Sequence, residues 1–322
     1  MTLPLGVTFE AFTDFGFWTS VGILAGTYVL FTLGLQLNVG YTGIVNFGQA
    51  GFMAIGAYAM GVLVVKADWS FWLALPTAVF IAIGFGLLVG LPSLRLRADY
   101  FAIATIAAAE IVRITALNLR DVTGGNQGLF GFDDSWNNLA DQIESWLVSL
   151  GWSDPEQLFP LFLVVWVTAL IATVLLNFAT KSPWGRVLRA VREDEDAARA
   201  LGKNTLAYKL QSLAIASTLG ALAGFFVAIN LNFLTPEAFL PAFTFIGYAV
   251  LVLGGLASYW GVAAGAIVMW TILEGTRFID LPISAEREAA VRFMIVGLVL
   301  ILLMAFRPQG MFGKKEEMVL GD

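Results

Sequence analysis

A chain of 322 residues that is 58% hydrophobic and only 13% charged falls outside the range of water-soluble domains, whose apolar share is about 45–50% with about 25% charged. Its 18 Lys+Arg against 24 Asp+Glu, a formal charge of −6, give no basic surface for nucleic acid. With no cysteine and no histidine, disulfides, thiolate metal sites and the usual proton relay are excluded, so no metal or cofactor chemistry is expected in this chain.

The N-terminal stretch MTLPLGVTFEAFTDF lacks the basic region of a signal peptide, so the first apolar run is expected to remain as a span. Apolar segments follow near 17–36, 50–65, 71–91, 99–117, 158–180, 210–230, 240–255, 262–276 and 291–306. They lack the ten-residue alternation of outer-membrane strands, and helices satisfy their own backbone in lipid. The expectation is an all-α, polytopic membrane helix bundle of about nine transmembrane helices, forming one domain over residues 1–322.

Within that pattern the segment 37–51 stands apart. Gly40, Gly43, Gly48 and Gly51 interleave with Asn38, Asn46 and Gln49, a mixture suited neither to a lipid-facing helix nor to a solvated loop. It predicts a broken or re-entrant segment, because non-helical backbone at membrane depth is tolerated where protein buries it or a wet cavity lines it. Two readings stand: a broken helix lining a transport route, or glycine-mediated close packing of helices. A second glycine cluster, Gly254-Gly255-Leu-Ala-Ser-Tyr-Trp-Gly261, repeats the pattern and hints at internal duplication.

Two charge pairs lie within or beside apolar runs, Glu110/Arg113 and Glu274/Arg277. Spaced i,i+3, each pair shares a helix face and can neutralise itself. Ionisable groups at that depth are candidates for a translocation path, with a structural ion pair at the membrane border as the alternative.

The hydrophilic stretches set an orientation. Residues 181–209 hold seven of the eighteen basic residues, which places them in the cytoplasm by the positive-inside rule. Alternating outward puts the N-terminus outside, the C-terminus inside, and the 118–157 loop outside, where seven acids between Asp121 and Glu156 face one Arg120. Trp136, Trp146 and Trp152 give that loop aromatic anchors for either a receiving cap or an interfacial helix. Ser182-Pro183 predicts a helix start and Gly202 a stop, with Trp184, Val187, Leu188, Val191, Ala198 and Leu201 at helical spacing between them. The element suits docking on a partner, with an ordinary charged loop of a multispanning protein as the alternative reading. No G-x-x-x-x-G-K-[ST] phosphate loop occurs, so ATP energy must come from elsewhere if transport is active.

The run Asp196-Ala197-Ala198-x3-Gly202 resembles the E-A-A-x3-G core of the cytoplasmic loop in permease subunits of bacterial ATP-binding-cassette importers. Asp replaces Glu, and the I-x-L-P element found downstream in maltose-type permeases has no counterpart after Leu210. Further stretches resemble the LivM-type permeases of the branched-chain amino acid branch: NVGYTGIVNFGQAGFMAIGAYAMGVL, LRLRADYFAIATIAAAEIVRI with TGGNQGL, SPWGRVLRAVREDEDAARALG, VLGGLASYWGVAAGAIV and FRPQGMFG.

The resemblance implies a bacterial inner-membrane permease that is not itself an enzyme. It also implies a heterodimer with a homologous LivH-type permease, two cytosolic ATPase subunits carrying ATP and Mg, and a periplasmic amino-acid-binding protein. The implied cargo is a branched-chain or other neutral amino acid; urea permeases share the architecture, and a self-sufficient secondary transporter is the rival class. Candidate coupling residues are Val191, Ala198 and Leu201 as anchors and Glu193, Asp194 and Asp196 as polar partners, with Ala197 and Gly202 completing the core motif.

Overall fold

The computed structural model describes residues 14–152 and 156–276, with further positions between 291 and 313. The described residues are helical and hold no strand; an isolated antiparallel bridge joins Leu129 to Leu234. In chain order the helices are α1 (Phe15–Leu35), α2 (Gln49–Ala67), α3 (Phe71–Ser93), α4 (Ala98–Asn118), α5 (Arg120–Thr123) and α6 (Asp134–Ser149). There follow α7 (Phe159–Lys181), α8 (Pro183–Glu193), α9 (Glu195–Ala200), α10 (Thr205–Leu231), α11 (Ala242–Gly254) and α12 (Tyr259–Gly275).

Six of these are long and apolar enough to cross a membrane, namely α1 with its continuation to Tyr41, α2, α3, α4, α7 and α10. The expectation of nine spans is corrected at 240–276. There α11 and α12 meet at an angle of 116°, so among the described residues they add at most one span to the six. With 13 residues, α11 reaches only about 20 Å at about 1.5 Å per residue, short of a hydrocarbon core of about 30 Å. Gly254 and Gly255 then end it, and Ser258 caps the next helix by accepting from the Gly261 N–H at 3.1 Å. The run expected at 291–306 and the loop at 277–290 lie largely outside the described residues.

Two helices form the interior. Within its most apolar window α1 is 83% buried and α10 is 72% buried, against 22% for α4 and 28% for α3. Helices α2, α1 and α3 pack on α10, while α7 and α12 close around α1. The outer helices leave Phe80, Leu88, Ile103, Ile111, Leu175 and Phe178 exposed, as lipid requires.

Lipid tails offer no hydrophobic gain for helix association, so the centre depends on close van der Waals approach at small residues. A Cβ added at Gly224 of α10 would lie 1.9 Å from the Met53 carbonyl oxygen of α2, and one at Gly56 would lie 2.4 Å from Ala221 Cα. Gly224→Ala should therefore force α2 and α10 apart and cost about 1–3 kcal/mol, read as a lower thermal midpoint in detergent. Gly84→Ala is the control, since nothing lies within 4 Å of that position. Equal midpoints for the two variants would contradict contact packing of α2 on α10.

Candidate functional site

At Gln36 the first span leaves the α-helical path. A π turn occupies Gln36–Tyr41, and residues 43–48 are non-helical before α2 begins at Gln49. Gly43 carries the chain through φ +74°, a region in which only glycine is unstrained.

The backbone groups released by this break are met by side chains from α4, α11 and the segment itself, as a medium without water demands. The Gly48 N–H donates to Asn46 Oδ1 at 2.8 Å, the Phe47 N–H to Thr105 Oγ1 of α4 at 3.0 Å, and the Ala50 N–H to Thr244 Oγ1 of α11 at 3.2 Å. Tyr248 OH donates to the Asn46 carbonyl at 2.9 Å. Gln49 Nε2 donates to the carbonyls of Phe31 at 3.2 Å and Ala216 at 3.0 Å, which ties α1, α2 and α10 together. Ser212 Oγ donates to Asn38 Oδ1 at 2.9 Å. Asn38, Asn46 and Gln49 are all fully buried in this conformation. Gly48 and Gly51 meet α4 at contact, where an added Cβ would lie 2.9 Å from Thr105 O and from Ala109 Cα respectively.

The break of α1 leans on the break between α11 and α12. Gln36 Nε2 donates to the Gly255 carbonyl at 3.3 Å, and Tyr41 OH to the Ala257 carbonyl at 2.9 Å. The Tyr41 and Tyr259 rings stack with centroids 5.1 Å apart and planes 7° from parallel. A turn of the FRPQGMFG stretch completes the junction: the Met311 N–H donates to Leu253 O at 2.9 Å and the Phe312 N–H to Gly254 O at 3.0 Å. These bonds satisfy carbonyls at the C-terminal end of α11 that no helical turn can reach.

Beside this junction sits the charged island. Ser182 Oγ accepts from the Trp184 N–H at 3.2 Å and Pro183 opens α8, as the sequence predicts. The single helical element expected from 183 to 202 is instead two. Asp194 adopts φ −153° and ψ 102°, ends α8, and starts α9 by accepting from the Ala197 N–H at 2.9 Å. Aspartate competes with the backbone in this way, which is why it favours caps over helix interiors. Val191 and Ala198 turn inward and are buried against the chain itself. Glu193, Asp194, Asp196, Ala197, Leu201 and Gly202 are exposed, with Leu201 at 82%.

Contacts with no local sequence signal hold α8 and α9 on the bundle. Arg192 Nη1 donates to the Gly40 carbonyl within the π turn. Glu195 takes Lys209 of α10 on one oxygen, and Thr205 Oγ1 and Arg199 on the other, both at 3.0 Å. Burial raises the Glu195 carboxyl, and the hydrogen bonds and charges of Lys209, Thr205 and Arg199 more than offset this, holding it below the usual carboxylate range. Between the break and this clamp lies a cavity of about 300 Å³, lined by Thr42, Val45, Arg97, Val191, Arg192 and Lys209 among others.

The remaining predicted residues lie elsewhere. Arg113 and Glu110 form the expected i,i+3 pair on α4, with Arg113 Nε 2.9 Å from Glu110 Oε2. Glu274 lies in the last turn of α12, and Arg277, with the pair expected between them, lies outside the described residues. At the other end of the bundle Trp136 of α6 is buried, whereas Trp146 is exposed and Trp152 packs on Phe15 and Phe159 at 5.8 and 4.7 Å.

Over residues 18–304 the chain matches the family described as branched-chain amino acid transport system, permease component. The chain belongs to that family. It is 32% identical over 306 residues to the high-affinity branched-chain amino acid permease protein LivM of Escherichia coli K12, covering 90% of this chain and 69% of that protein. To the probable LivM of Methanocaldococcus jannaschii it is 26% identical, covering 90% and 91% of the two chains. A nucleoside ABC transporter permease, NupC of Lactococcus lactis, is 30% identical, covering 83% of this chain and 86% of its own. No solved structure matches.

In this permease the Glu195 clamp has a defined pH dependence. Because the folded carboxyl titrates lower than the unfolded one, its stabilisation is present above the unfolded value of about 4.3 and disappears as pH falls through the lower folded value. Glu195→Gln should lower the thermal midpoint at pH 7, and the difference from the parent chain should shrink as pH falls below about 4.3 and vanish once pH lies below the lowered folded value. A difference unchanged across that range would show that the charge on Glu195 holds nothing.

Proposed function

We propose that this permease is the membrane subunit of an ATP-driven importer that carries branched-chain or other neutral amino acids delivered by a periplasmic binding protein. The observation that carries the reading is the family match across nearly the whole chain, together with an exposed docking motif seated on a broken span. Residues 181–209 face the cytosol, and residues 118–157 face the periplasm and receive the binding protein. The N-terminus lies outside and the C-terminus inside. The basic content of the first segment and the acidic content of the second support that orientation. The bridge between Leu129 and Leu234 agrees with it, since it joins two connections assigned to one face.

Because the chain carries no phosphate-binding loop, ATP and Mg belong to partner subunits, and a homologous permease completes the membrane unit. The docking face is narrower than the sequence motif. With Val191 and Ala198 covered by the chain itself, the ATPase contact falls on Glu193, Asp196, Ala197, Leu201 and Gly202. Leu201 supplies the apolar anchor, Ala197 permits close approach, and the two acids supply polar partners in a helix-in-groove contact. Substrate selection rests chiefly with the binding protein. A nucleoside is the competing cargo, on the strength of the Lactococcus relative.

Purification in mild detergent should bring down an ATPase subunit, and uptake into vesicles should require ATP inside and the binding protein outside. Co-purification of no nucleotide-binding protein, with uptake driven by an ion gradient alone, would rule the reading out. Radiolabelled leucine competed by isoleucine and valine but not by nucleosides is the expected cargo profile; the reverse profile would reassign it. Burying a leucine on docking contributes about 1.5–3 kcal/mol, so Leu201→Asp should weaken ATPase association by about tenfold or more. Unchanged association would remove Leu201 from the interface.

A further inference from the structure

The contact between Arg192 and Gly40 joins positions 152 residues apart and lies where the docking motif meets the broken span. Arg192 occupies the last turn of α8, next to the exposed Glu193 and Asp194. Its guanidinium donates to the Gly40 carbonyl of the π turn, and its stem packs on the neighbouring loop. A Cβ added at Gly43 would lie 3.3 Å from both Arg192 Cα and Cγ. On its other side Gly40 abuts the second break, where an added Cβ would lie 3.2 Å from the Ala257 N. Tyr41, the next residue, bonds to Ala257 O and stacks on Tyr259. A continuous line of contact therefore runs from α8 through Arg192, Gly40 and Tyr41 to the start of α12.

We propose that Arg192 is the strut that carries movement of the docking element into the broken end of α1, and from there into the break between α11 and α12. This inference rests on the importer reading above. Close-packed interiors transmit displacement rather than absorb it, and a charged planar donor on a carbonyl is a directional link. The break is the compliant part of the span, because residues 43–48 belong to no helical ladder. The cavity of about 300 Å³ between Arg192, Thr42, Val45 and Arg97 leaves room for the segment to shift without clash. Flanking elements are stiffer by comparison: α9 is clamped to α10 through Glu195 and Lys209, and Gln49 ties α1, α2 and α10. Movement entering at α8 through Gly40 thus has a low-resistance outlet in the adjoining segment from Gly43 to Val45. Arg192 is a positioning residue in this scheme and touches no substrate.

The test uses the complete complex in vesicles, comparing parent, Arg192→Gln and Arg192→Lys permeases. Two quantities are read: cargo molecules taken up per ATP hydrolysed, and the rate at which a small hydrophilic maleimide modifies Val45→Cys with and without ATP. The absence of native cysteine leaves no background thiol in this chain. Arg192→Gln should keep ATP hydrolysis while lowering uptake per ATP by about tenfold or more, the scale of losing one hydrogen bond from a charged donor. It should also abolish the ATP dependence of Val45→Cys labelling. Arg192→Lys, which keeps a charged donor without the planar fork, should fall between.

Parental uptake per ATP and parental labelling contrast in Arg192→Gln would overturn the proposal. If Arg192→Gln fails to assemble, Arg192→Lys decides: reduced coupling with intact hydrolysis supports the strut, and fully parental coupling overturns it. Failure of both to assemble would overturn it too, assigning Arg192 to folding. A parent complex that takes up none of the amino acids would count against the import reading, while the labelling contrast would still report on the strut.

Discussion

In a medium without water, an interrupted helix must find partners for every peptide group it releases. The break after Gln36 imposes that requirement on the rest of the molecule. Thr105, Thr244, Tyr248 and Asn46 meet it from α4, α11 and the segment itself, so the positions of these helices around α1 follow from one segment's backbone. The break between α11 and α12 obeys the same rule through Gln36, Tyr41 and the turn at Met311 and Phe312. Each interruption serves as partner for the other, which makes the junction a single cooperative unit.

Around that unit the permease divides into a stiff part and a compliant part. Helices α1, α2 and α10 meet through small residues at distances that leave no slack, as the contacts of Gly56 and Gly224 demonstrate. The segment 43–48 has no ladder of its own, adjoins a cavity, and is touched by the last turn of α8. The proposed transmission from α8 into the bundle needs both properties. Stiff helices keep the displacement from dissipating, and a compliant segment gives it somewhere to go.

The proposed docking element illustrates why a motif and a surface are different things. All eight residues singled out between Val191 and Gly202 lie on α8, α9 or the connections at their ends, yet the chain uses Val191 and Ala198 to seat these helices on itself. What remains exposed is a shorter patch centred on Leu201, with acids before it. Leu201, 82% exposed, is the apolar side chain that the proposed contact would cover.

The sequence alone determined what depends on composition and on neighbours within one helical turn. The apolar fraction required a membrane bundle, Ser182-Pro183 set the start of α8, and the i,i+3 spacing of Glu110 and Arg113 placed both on one face, where they pair. The ordered motifs from about residue 37 to 313 identified the permease family before any fold was known. Tertiary structure decided what depends on contacts far apart in the chain. An apolar run near 240–255 reads as a span, and only its meeting with α12 and the Met311 turn reveals a short helix ending in a bend of 116°. The continuity expected across Asp194 was lost because its carboxylate caps the next helix. Asn46 and Gln49 announced an unusual segment, but their partners on α1, α10 and α11 carry no signature of that role, since hydroxyls and carbonyls occur throughout every helix. Arg192 was one basic residue among seven in its island until folding brought it against Gly40. Local pattern fixes which residues are chemically able to make such contacts, and the packing of distant helices chooses among them.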